Sequence, residues 1–74
     1  MFEARRSHHR GVAVMEVDLV YYRRRSAEER AAAGAALHSK VRSVHLELAR
    51  CYDERVQALE TEIQDAETHL VSAA

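Results

Sequence analysis

Apolar side chains return along this chain at steps of three and four. From Met15 the series runs through Leu19, Tyr22, Ser26, Arg30, Ala33 and Leu37, a spacing that gathers residues on one face of a helix. A second series starts at Val41 and continues through Val44, Leu48, Cys51, Tyr52, Val56, Leu59, Ile63, Ala66, Leu70 and Ala73 with no breaker. The pattern predicts one helix near residues 17–37 and a longer one near 40–71, joined by a tight turn at 37–40. Asp18 is placed to favour the free N–H groups at the start of the first helix. Ser39 is placed to cap the second. The fold class expected is all-α, an antiparallel two-helix hairpin occupying residues 12–74.

Two segments stand outside this pattern. Residues 1–11, MFEARRSHHRG, have no helical or strand period and read as a flexible basic leader. Residues 12–21 carry Val12, Val14, Val17 and Val20, and Met15, Val17, Leu19 and Tyr21 alternate with Glu16, Asp18 and Val20. That alternation would suit an edge strand. A strand needs a partner, and the chain offers no second candidate except the same segment of another copy. Helix from about Val17 is therefore the preferred reading.

The two helices are unequal, and that inequality bears on assembly. A helix over residues 40–72 would extend about 50 Å, against about 30 Å for one over residues 18–37. On this reading the first helix covers Val41 to about Leu59, leaving Leu59, Ile63, Ala66 and Leu70 without a partner in the same chain. From Tyr52 onward the steps alternate four and three as in a coiled coil, whereas 44, 48, 52 and 56 are all four apart, a local drift. A four-helix or coiled-coil-like homodimer formed through the long second helix is the expected assembly.

Composition narrows the class further. The chain has 74 residues, no proline, two glycines and one cysteine, and 31% of it is charged. Abundant Ala, Arg and Glu favour helix. A chain this short buries a modest core unless it pairs. One cysteine excludes a disulfide-stapled domain and points to a reducing, cytoplasmic setting, and Glu16 interrupts the apolar run that starts at Gly11, so no membrane span is expected. Charge is uneven, about +3 over residues 1–25 and −5 over residues 51–74 within a total of −1. Antiparallel packing brings those ends together.

The residues with chemical potential read mainly as scaffold. His38 and His45 are two turns apart, about 10.5 Å, too far to share a metal, and His8 and His9 lie in the leader. Cys51 beside Leu48 and Tyr52 reads as a small buried hydrophobe. Arg24 with Glu28, Arg25 with Glu29 and Arg50 with Glu54 have the spacing of helix-surface ion pairs. No nucleophile with a local base and no phosphate-binding loop is present, so an enzyme is not expected, nor is a cofactor or metal. Tyr22 falls on the packing face and Tyr21 nearly opposite. Arg23, Arg24 and Arg25 fan over about 200°, and only with Arg5, Arg6 and Arg10 would they meet nucleic-acid phosphates, nonspecifically.

The segments YYRRRSAEERAAAGAA and VHLELARCYDERV resemble short proteobacterial helical-hairpin proteins of uncharacterised role, over roughly Tyr21 to Val56. The resemblance implies a hairpin and transfers no functional residue. Ala27, Ala31, Leu37, Leu48 and Tyr52 also look loosely like the packing positions of a repeat-type hairpin. The function expected is a non-enzymatic protein-interaction or structural module, self-pairing or bound to another protein, with nucleic-acid or small regulatory binding as the alternative. Its core and interface residues are expected to be Leu19, Tyr22, Leu37, Val44, Leu48, Tyr52, Val56, Leu59, Ile63 and Leu70.

Overall fold

The computed structural model describes residues 11–73, with side chains through residue 69. Two α-helices, α1 (Val12–Ala35) and α2 (Ser39–Ala73), pack against each other as a hairpin. Among the described residues there is no strand, and the β-branched stretch from Val12 is the first part of α1.

Helix α1 therefore begins about a turn and a half earlier than the apolar spacing suggested. Gly11 is its N-cap, extended in backbone and without a side-chain cap bond, and its carbonyl accepts the first helical bond from the Met15 N–H at 3.2 Å. Asp18 thus lies inside the helix instead of in its first turn. At the other end the Ala36 N–H donates to the Ala33 carbonyl at 3.2 Å, tightening the last turn in 3₁₀ fashion. The His38 carbonyl accepts from the Arg42 N–H at 3.0 Å, so His38 holds the cap position of α2 and Ser39 is its first helical residue.

The longer α1 changes which part of α2 is covered. Antiparallel packing lays the first turns of α1 against residues 56–63, where Met15, Leu19 and Leu59 form a buried cluster flanked by Val12, Tyr22, Val56 and Ile63. Leu59 is 6% exposed. The expectation that Leu59 and Ile63 lack an intrachain partner is corrected: the turns of α1 before Val17 supply it. Leu70 has its side chain outside the described residues, as do residues 1–10 of the expected leader entirely.

Toward the turn the seam changes character. On α1 the covered positions continue from Tyr22 as Ser26, Glu29 and Ala33, with Glu29 in the place expected for Arg30. These are small or polar side chains, and α2 answers with His45, Ala49 and Asp53. Ala33 and Ala49 are both buried, a pair without side-chain bulk that lets the helices approach closely. The larger side chains on this half of α1, Arg25, Glu29 and Arg30, are engaged in ion pairs.

Candidate interaction surface

The polar half of the seam is held by hydrogen bonds between the helices. The buried Ser26 hydroxyl donates to Asp53 Oδ1 at 2.5 Å, and Arg30 pairs with the other Asp53 oxygen. One turn nearer the loop, His45 Nδ1 donates to Glu29 Oε1 at 2.6 Å, and Arg25 Nη2 donates to Glu29 Oε2 at 2.6 Å. The His45 bond is the main reason the Glu29 carboxyl is held below its ordinary range, against the opposing effect of burial. The Ser26 bond does the same for Asp53, aided by Arg30. Both acceptor oxygens of each carboxylate are used, which the buried Glu29 requires and the partly exposed Asp53 does not.

A serine, a histidine and two carboxylates thus meet in the seam, yet not as a catalytic set. Ser26 is bonded to Asp53, His45 to Glu29, and no Ser26–His45 bond joins them; a nucleophile needs a base within hydrogen-bond reach. The arrangement is a polar clasp that ties α1 to α2. Sequence spacing placed Ser26 on this face but missed Glu29, His45 and Asp53 as members; the signal was the four-three rhythm 15, 19, 22, 26, 29, 33, which includes Glu29 if charge is ignored.

Aromatic and ionic contacts flank the clasp. The Tyr22 and Tyr52 rings lie 5.9 Å apart, with Arg55 over Tyr22 at 5.4 Å and Arg25 over Tyr52 at 5.2 Å. Tyr22 is half-buried and Tyr21 exposed, as their phases require. The helix-surface pairs stand at the expected spacings: Arg24 with Glu28 at 3.8 Å, Arg25 with Glu29, and Arg50 with Glu54. Arg25 also pairs with Glu28, and Arg50 with Glu47. Arg23 pairs across the seam with Glu60. All three arginines of the Tyr-Tyr-Arg segment are therefore engaged by carboxylates, and Arg5, Arg6 and Arg10 lie outside the described residues.

The expected core residues divide into two groups. Leu19 and Leu59 are buried, and Tyr22, Tyr52, Val56 and Ile63 are half-buried around them. Leu37, Val44 and Leu48 are not in the hairpin core: they are 92%, 57% and 40% exposed. Val41 and Cys51 are exposed too, so the expectation of a buried Cys51 is also corrected. The cause is geometric. At about 100° per residue, positions 41, 44, 48 and 51 lie on a stripe of α2 turned to one flank of the seam traced by 45, 49, 52, 56, 59 and 63. On that flank α1 carries the half-buried Arg25, Ala32 and Ala36, with Arg25 over the Tyr52 ring. The interhelix ion pairs Arg23–Glu60 and Arg30–Asp53 lie on the opposite flank.

Elsewhere α1 also carries exposed apolar side chains, Val14, Val17, Val20 and Tyr21, and α2 carries Leu46 outside the stripe. A shallow groove is lined by Glu16, Leu19, Glu60, Ile63, Gln64 and Glu67, with no cation in its lining. Among the described residues, no three His, Cys, Asp or Glu side chains gather to hold a metal, and no helix is long and apolar enough to cross a membrane. Comparison with known proteins finds no matching family model, no matching curated protein and no matching solved structure.

Proposed function

We propose that this chain is a non-enzymatic interaction module whose working form is a pair of hairpins joined through α2. The observation that carries this reading is the stripe Val41, Val44, Leu48 and Cys51, continued past the helix start by Leu37. It lies open on one flank of a hairpin that has already covered Leu59. Apolar side chains in register over consecutive turns are stabilised when a partner removes them from water. A second copy suits this stripe because its ends carry opposite charge, Lys40 before Val41 and Glu54 after Cys51, so the same surface can complement itself.

The pairing surface proposed is the turn-proximal half of α2, since α1 occupies the distal residues Leu59 and Ile63. Binding to nucleic acid is less well supported, because a phosphate would have to displace Glu60, Glu28 or Glu29 from Arg23, Arg24 and Arg25. The chain is thus read as a scaffold element acting through protein contact.

The test is molecular mass in solution by sedimentation over a concentration series, on the native chain and on Leu48→Glu. The native chain should pass from monomer to dimer as concentration rises. Leu48→Glu should remain monomeric with unchanged helix content, because Leu48 is outside the core. A native chain still monomeric at about 1 mM, where association would be worth less than about 4 kcal/mol, refutes the proposal.

A further inference from the structure

The pairing reading above, on which this inference rests, leaves open how the second copy lies, and charge decides between the two directions. Within α2, Val41, Val44, Leu48 and Cys51 follow one another at steps of three, four and three, two heptads of a coiled-coil seam. Lys40, Glu47 and Glu54 recur seven apart along one border of that seam. His45 and Tyr52 form the other border and are turned toward α1, where His45 bonds Glu29 and Tyr52 meets Tyr22. The exposed Lys40–Glu47–Glu54 border is the one that can meet charges of another copy, with Glu47 and Glu54 each already paired with Arg50 of their own helix.

We infer that the two copies of α2 lie antiparallel, with Val41 of each against Cys51 of the other and Val44 of each against Leu48 of the other. In this register the two Lys40–Glu54 borders run in opposite directions, so each Lys40 ammonium meets the Glu54 carboxylate of its partner at both ends of the seam. The two Glu47 side chains come near the twofold axis, and each already has its own charge neutralised by Arg50. A parallel pair in register would instead set Lys40 beside His45 and Glu47 beside Tyr52 of the partner, with no attractive pair. The antiparallel copy also runs alongside α1 of its partner, where Ala32 and Ala36 leave room for it. Arg55, the next position on the stripe, is held over Tyr22 and ends the apolar seam.

Cysteine cross-linking reads the direction directly. A disulfide needs Cα atoms within about 7 Å, whereas positions 41 and 51 of one helix are about 15 Å apart, so any bridge between them joins two chains. Three chains are oxidised at a concentration where sedimentation gives dimer: the native chain, Val41→Cys, and Val41→Cys with Cys51→Ser. Covalent dimer should form in high yield only with Val41→Cys, which carries both thiols. High yield from the native chain or from the double variant means that like positions meet, and overturns the antiparallel direction while leaving pairing intact. A dimer by sedimentation with no covalent product from any chain overturns the use of this stripe. A monomeric native chain overturns the pairing reading itself. A further variant, Lys40→Glu, puts like charges at both ends and should raise the dimer dissociation constant, with the second change Glu54→Lys restoring it; no rescue overturns the proposed register.

Discussion

Leu59→Ala and Leu48→Ala should differ several-fold in cost although both remove the same three carbon atoms from the same helix. Leu59 is 6% exposed and packed among Met15, Leu19 and their neighbours. At about 0.8 kcal/mol per buried carbon group, its truncation loses about 2.4 kcal/mol of transfer free energy, and an unfilled cavity adds to this. A loss of about 2–3 kcal/mol follows, a large part of the 4–11 kcal/mol or so expected for a chain of this length. Leu48 is 40% exposed and outside the buried cluster, so its truncation opens no enclosed cavity and costs about 1 kcal/mol or less. Urea unfolding followed by circular dichroism measures both, at a concentration where sedimentation gives monomer, because dimerisation would add its own linkage. Equal losses, or a larger loss at Leu48, would refute the division of α2 into a covered seam and an open stripe.

The remaining predictions concern the clasp and the backbone. Glu29 and Asp53 have carboxyl pKa values below their ordinary ones in the folded chain, so the folded state binds fewer protons. Their stabilisation is complete above the unfolded values near pH 4 and is lost as pH falls through the folded ones. Melting temperature should therefore fall more steeply below about pH 4 for the native chain than for Glu29→Gln combined with Asp53→Asn; identical slopes would contradict it. Gly34→Ala should stabilise the hairpin by about 0.5–1 kcal/mol, because Gly34 is helical with ordinary negative φ and a Cβ there meets nothing within 4 Å. An unchanged or lowered melting temperature would show that Gly34 is needed as glycine.

The apolar rhythm, the lack of proline and the favourable helix propensities were enough to determine two antiparallel helices with a turn before Val41. They also placed Leu19, Tyr22 and Val56 in the seam and Leu59 on the apolar face, but assigned Leu59 to a partner outside the chain, because a three-four period gives the face and not what covers it. The start of α1 was not legible, since the β-branched residues of the 12–21 stretch suit a strand locally, and the residues that pack against α2 there are Val12, Met15 and Leu19, while Val14, Val17 and Val20 stay exposed. The drift through 44, 48, 52 and 56 marks a broadened apolar face on α2. It joins two stripes of α2, one through 41, 44, 48 and 51 that stays exposed, and one through 45, 49, 52, 56, 59 and 63 that meets α1. Which of the two is covered depends on the opposing side chains. Ser26, Glu29 and Ala33 present hydrogen-bonding groups and little bulk, so they take His45, Ala49 and Asp53 and leave the larger apolar side chains outside. Periodicity records that a face can be buried; only the partner helix decides which face is.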